Sequence, residues 1–166
     1  MITRIETIDE ITPMYREYLD YMRQFFRIYD FDSWCNGALK NLRHYFIADD
    51  RYIYSLKESE SIIGFALVNK HFRFNTDGCA VAEFYIQKDH EKKGYGRKLA
   101  EHVFEQFTGN WEIAVSLKNK SALLFWEQVV SSYTNGKFIK KRNASFYGVG
   151  FIFNSETGYI NSRENL

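Results

Sequence analysis

Residues 80–99, AVAEFYIQKDHEKKGYGRKL, constrain the fold more than any other stretch, because an apolar run gives way to a basic turn and then to an amphipathic helical pattern. Residues 80–86 are mostly apolar or aromatic, the composition of a short, largely buried strand. After Gly96, apolar residues recur at Leu99, Ala100, Val103, Phe104 and Phe107, with charged or polar residues between them, which is a helical period. Gly94 and Gly96 permit close backbone approach and unusual dihedrals where that helix begins, and the first turn of a helix presents unpaired N–H groups with a partial positive charge. Strand, glycine turn and helix in this order describe a phosphate cradle, although two glycines alone also describe an ordinary surface turn.

Other phosphate motifs fit worse. A dinucleotide fingerprint needs a third glycine or alanine where Leu99 stands, and the Gly-Lys-Ser/Thr of a Walker loop is absent. The segment Glu91-Lys92-Lys93-Gly94-Tyr95-Gly96 resembles motif A of the GNAT superfamily of N-acetyltransferases, Arg/Gln-x-x-Gly-x-Gly/Ala, with Glu91 departing from the usual first residue. Residues 111–116 read as another strand, and Asn119-Lys120-Ser121-Ala122-Leu123-Leu124-Phe125-Trp126 resembles the GNAT pattern Asn-x-x-Ala-x-x-Phe-Tyr. The wording of Ala82-Glu83-Phe84-Tyr85-Ile86, Gly109-Asn110-Trp111-Glu112 and Phe125-Trp126-Glu127-Gln128-Val129 is similar to a small group of GNAT proteins of unassigned substrate, and the specific motifs cover residues 80–130.

The resemblance implies acetyl-coenzyme A as cosubstrate, its pantetheine arm pairing with backbone at Phe84, Tyr85 and Ile86 where two strands splay apart. Its pyrophosphate would lie on Glu91, Lys92, Lys93, Gly94, Tyr95, Gly96, Arg97 and Lys98, with Lys92, Lys93 or Arg97 offsetting the charge of Glu91. Asn119 and Ala122 would meet the arm, and Phe125 and Trp126 would wall its channel; Asn119 equally suits a helix N-cap and the aromatic pair a helix core. Amine acetylation needs a base, an oxyanion donor and a proton for the leaving thiolate. The resemblance assigns the oxyanion to a backbone N–H, that of Ile86 at the end of the strand, where a preorganised donor acts without reorganisation. Glu83 is the candidate base, and its alternative is a strand carboxylate facing solvent or pairing with a lysine. The family's usual acid, a Tyr, is replaced by Trp126, whose indole is no practical acid. Tyr133 or Tyr85 is left for that role, or water alone, since a thiol of pKa about 8.5 is a fair leaving group.

A chain of 166 residues predicts one domain, residues 1–166, able to bury about 70% of its unfolded surface. A net charge of +1, from 22 basic and 21 acidic residues, argues against a general nucleic-acid or anionic-membrane binder. Cys35 and Cys79 lack C-x-x-C spacing, Cys79 has no evident His partner for covalent catalysis, and the four histidines show no metal-ligand spacing. MITRIETIDE carries charges where a signal peptide has an apolar core, and no apolar run approaches a bilayer span, so the expectation is a cytoplasmic protein with no membrane role and no metal.

Along the chain there is no repeat, no low-complexity tract and one proline, Pro13. The pattern predicts a strand at 2–7, helices at 11–28 and 34–46 with Pro13 in the opening turn of the first, and a hairpin of 51–57 with 61–69. Strands at 137–142 and 145–153 close it, and the polar tail 155–166 lacks a period. The expected fold is GNAT-like α/β (α+β): a mixed, mostly antiparallel sheet of six to seven strands with helices on both faces and splayed middle strands.

The expected activity is direct N-acetyl transfer through a ternary complex to a primary amine. Tyr18, Tyr21, Phe25, Phe26, Tyr29, Phe31 and Trp34 lie close together in sequence, and any that face the cleft would favour an apolar or aromatic acceptor. Two other readings stand beside it: a coenzyme A sensor without turnover, motivated by Glu91 and Trp126, and an interaction module. Lys137, Lys140, Lys141 and Arg142 with Phe138 and Phe146 resemble a small RNA-contact surface, a pattern that a solvated strand face also produces. Exposed strand edges readily pair, which allows a homodimer.

Overall fold

The computed structural model describes residues 1–143 and 146–157. Seven strands and four helices follow one another as β1 (Ile2–Arg4), α1 (Ile8–Met22), α2 (Phe31–Arg43), β2 (Arg51–Glu58), β3 (Ser61–Asn69), β4 (Cys79–Ile86), α3 (Tyr95–Glu105), β5 (Asn110–Ser116), α4 (Lys120–Tyr133), β6 (Ile139–Asn143) and β7 (Phe146–Asn154). The sheet is mixed and mostly antiparallel, in the order β1-β2-β3-β4-β5-β7-β6, and β4 runs parallel to β5. The expected α/β fold and strand count are present. From residue 158 the expected tail lies outside the described residues, as does Ser145.

The two leading helices begin three residues before the apolar period, because caps set their starts. Glu10 reaches back to accept from the Thr7 N–H and hydroxyl, at 3.2 and 2.9 Å, and α1 starts at Ile8. Pro13 consequently lies inside the helix, one turn later than expected. Asp30 accepts from the Ser33 N–H at 3.0 Å and starts α2 at Phe31. Both helices then tighten into single 3-10 turns, Arg23–Phe25 and His44–Phe46. No helix among the described residues is long and apolar enough to cross a membrane.

The chain forms two compact units, Met1–Val68 with Glu83–Leu99, and Asn69–Ala82 with Ala100–Leu166. In the first, Ile11, Met14, Tyr15, Tyr18 and Leu19 of α1 pack with Leu42, Ile53, Phe65, Leu67 and Tyr85. Gly64 lets β3 approach the end of β4, since a Cβ there would stand 2.5 Å from Ile86 Cδ1 and 2.8 Å from the Tyr85 carbonyl oxygen.

The second unit is built on aromatic rings. Phe104 meets Trp111 at 5.3 Å and Phe153 at 4.9 Å, and Trp111 stacks on Phe153. Buried Glu112 accepts three backbone N–H groups, from Arg73, Phe74 and Asn75, at 2.6, 2.9 and 2.7 Å, and so anchors the loop between β3 and β4.

Candidate active site

β4 changes company half-way along. Cys79, Ala80 and Val81 pair with Trp111, Glu112 and Ile113 of β5, and the register ends there. β5 continues against β7 as far as Ser116. Beyond the ladder, Ala82 is exposed and Glu83 and Phe84 are half-buried, unusual in the middle of a central strand. The Gln87 N–H donates to the Ile63 carbonyl of β3 at 2.9 Å. Backbone donors alternate along a strand, so the Ile86 N–H points to the opposite edge of β4, the edge that pairs with β5 at Cys79, Ala80 and Val81.

Glu83 shares a face with Tyr85, as the alternation predicts. Its Oε1 accepts from the Tyr15 hydroxyl at 3.1 Å, and its Oε2 is enclosed with no hydrogen-bond partner. Burial pushes the carboxyl up to about 7, and the Tyr15 bond restrains the rise. Neither solvent exposure nor a lysine pairing, the alternatives raised by the sequence, describes this carboxylate.

Phenol rings line the same region: Tyr15 lies 5.7 Å from Tyr18 and 5.7 Å from Phe65, and Tyr18 lies 5.7 Å from Tyr85. Burial first, and Glu83 next, raise the Tyr15 and Tyr18 hydroxyls, so both stay protonated. Tyr85 donates to Glu17 at 2.9 Å, and the other oxygen of Glu17 accepts from Gln87 at 3.0 Å.

Past β4 the chain makes a 3-10 turn, Lys88–His90, and enters α3 through four exposed residues, Glu91, Lys92, Lys93 and Gly94. Lys92 and Gly94 both adopt left-handed backbone, φ 59° and 84°, and nothing lies within 4 Å of where a Gly94 Cβ would be. The first intrahelical bond is Lys98 N–H to the Gly94 carbonyl at 3.1 Å, so the N–H groups of Tyr95, Gly96 and Arg97 form the first turn of the helix, where backbone donors face outward along its axis. Those donors, with the exposed cations of Lys92, Lys93, Arg97 and Lys98, fit a pyrophosphate.

The acetyltransferase (GNAT) family model matches residues 11–130. The chain belongs to the GNAT acetyltransferase family. Solved structures agree on the fold. A chain from Desulfovibrio desulfuricans attributed to the GNAT family is similar at TM-score 0.67 and 14% identity, over 93% of this chain and 98% of that one. A GNAT acetyltransferase from Staphylococcus aureus Mu50 is similar at 0.64 and 16%, over 94% and 100%. The PaiA N-acetyltransferase of Thermoplasma acidophilum, solved with coenzyme A, is similar at 0.62 and 14%, over 90% and 98%. No curated protein sequence matches the chain.

The other residues expected of a GNAT site lie in the second unit. Asn119 caps α4, its Oδ1 accepting from the Ala122 N–H at 3.0 Å and from the Ser121 hydroxyl at 3.0 Å. Trp126 is buried against Phe104 and Phe125, with ring centroids 6.4 and 4.9 Å away. Tyr133 ends α4, its ring 5.0 Å from Phe104 and 6.1 Å from Phe153. Phe153 is the strand partner of Trp111, at the paired end of the β4–β5 ladder.

The aromatic residues at 18–34 divide: Tyr18 belongs to the core, whereas Phe26, Tyr29 and Trp34 line an open hollow of about 510 Å³. In the basic cluster, Lys140 is engaged by Glu127 at 2.6 Å, while Lys141 and Arg142 are exposed. Burial raises both cysteine thiols, which disfavours thiolates.

The sequence reading missed Tyr15, Gly64 and Glu58. A glycine isolated inside an apolar strand signals close backbone approach, so Gly64 left a trace. Tyr15 and Glu58 left none, because each meets its partners only through the fold.

Proposed function

We propose that the protein transfers the acetyl group of acetyl-coenzyme A directly to a primary amine of a small molecule or protein, with Glu83 as the base. The carrying observation is the Glu83 carboxylate: enclosed, held at one oxygen by Tyr15, unpartnered at the other, and titrating near neutrality on the strand that leads to the turn. A base poised near the working pH combines availability with driving force. Oε2 is the atom offered to the amine proton, directly or through one water.

Acetyl-coenzyme A supplies an activated thioester carbonyl, and the N–H groups of Tyr95, Gly96 and Arg97 with the surrounding cations are the proposed holders of its pyrophosphate. The Ile86 N–H, which points away from β3 at the end of β4, is the proposed donor to the developing oxyanion. As the C–N bond forms and the C–S bond breaks, Glu83 takes the proton lost by nitrogen and the thiolate takes one from water; the proton on Glu83 then passes to the hydroxide so formed, which restores the carboxylate. The unhindered approach above Gly94 and the donor-rich first turn support the site.

The test is a panel of primary amines assayed for thiol release from acetyl-coenzyme A. Glu83→Gln should lower kcat/KM on the preferred amine by about 10² to 10³, while coenzyme A binding is unchanged. A variant that acetylates at the wild-type rate would refute the assignment of Glu83. Coenzyme A binding with no turnover across the panel would favour the sensor reading.

A further inference from the structure

The four residues that cross the turn, 91–94, are exposed, and two of them hold left-handed backbone. Fixing the backbone of a residue in one conformation costs entropy, so contacts that hold these four residues bear on how well the turn receives an anion. One side chain from elsewhere touches both ends. Glu58, the last residue of β2, accepts from the Tyr95 hydroxyl at Oε1 and meets His90 Nε2 at 3.2 Å with Oε2. An ionised carboxylate only accepts, so His90 donates from Nε2. His90 Nδ1 is enclosed and without a partner, which makes the Glu58 bond the one that orients the ring. His90 immediately precedes the exposed run and Tyr95 immediately follows it.

We propose that Glu58 is the positioning residue of the cofactor turn, one carboxylate fixing His90 and Tyr95 at the two ends of residues 91–94 and so preorganising the N–H groups of α3 for coenzyme A. This rests on reading that turn as the coenzyme A site. The hydrogen bond from Tyr95 also holds the Glu58 carboxyl below its ordinary range, so it is ionised at neutral pH. An ionised carboxylate beside an anion site is by charge alone unfavourable. The two possible roles of Glu58 therefore predict opposite signs. A bystander removed would tighten coenzyme A binding; a clamp removed would weaken it, because apparent affinity falls with the fraction of turns in the competent form.

The experiment measures amide hydrogen exchange across residues 91–97 of the ligand-free protein and the coenzyme A dissociation constant by calorimetry, for wild type, Glu58→Ala, Glu58→Gln, Tyr95→Phe and the double variant Glu58→Ala with Tyr95→Phe. Glu58→Ala should exchange faster at the turn and bind coenzyme A about tenfold more weakly, with the melting temperature little changed because Glu58 is exposed. Glu58→Gln should recover most of the affinity, since its amide oxygen still accepts from Tyr95 and its NH₂ donates to a neutral His90. Glu58→Ala and Tyr95→Phe should be non-additive, as residues of one contact are. Wild type that binds coenzyme A together with a Glu58→Ala variant of equal or tighter affinity, or unchanged exchange at the turn, would overturn the clamp and leave the acetyltransferase reading standing. Wild type that binds no coenzyme A would overturn that reading and the clamp with it.

Discussion

At the scale of single residues, Glu83 and Tyr15 form a pair whose two effects oppose. Burial favours the neutral acid and the phenol donor favours the carboxylate, with burial the larger. Removing the donor should therefore raise the apparent pKa: in Tyr15→Phe the rising limb of kcat/KM against pH should move alkaline from about 7, with activity recovered at high pH. An unmoved limb would separate Tyr15 from the base. The same carboxyl bears on stability. Its folded value lies above the ordinary 4.5, so folding favours the proton; the penalty is absent below pH 4.5, grows to pH 7 and is constant above it. A shift of this size corresponds to about 3 kcal/mol. Glu83→Gln should be more stable than wild type at pH 8 and nearly equal to it at pH 4, as denaturant midpoints at the two pH values would show. The candidacy of Glu83 was legible because it stands on the strand entering a recognisable turn. Tyr15 was not, since it lies 68 residues away and reads as one of 12 tyrosines.

Among the elements, alternation and turn residues bound the inner strands on both sides, and β3 spans 61–69 as expected, whereas β1 stops at Arg4 and falls short of the expected 2–7. The helices were read late at their starts. Apolar periodicity marks where a helix buries a face, whereas Thr7 with Glu10 and Asp30 with Ser33 mark where the backbone begins to coil, one turn earlier. The loop between β3 and β4 carries no pattern at all, yet Glu112 organises it with three charge-assisted bonds. In Glu112→Gln one end of the side chain becomes a donor facing donors. The cost should be about 3 kcal/mol, with faster amide exchange at residues 73–75. A loss below about 1 kcal/mol would mean that the loop holds itself.

For the whole molecule, folding is coupled to ligand binding. A ligand that binds only the folded chain stabilises it by about 2.7 kcal/mol at 100 times its dissociation constant. Acetyl-coenzyme A and coenzyme A should both raise the melting temperature, and ATP and NAD should not match them. A melt unmoved by millimolar coenzyme A would count against the turn as its site. The family was legible from two short blocks because their residues are adjacent in sequence and their order is kept. The division of the chain was not legible, since no composition shift marks it. The path crosses from one compact unit to the other after Val68, after Ala82 and after Leu99, and two of those crossings fall inside β4 and α3. Neither unit is therefore one continuous stretch of the gene. No single break point yields either unit intact, so a fragment made by one cut divides at least one of the two units.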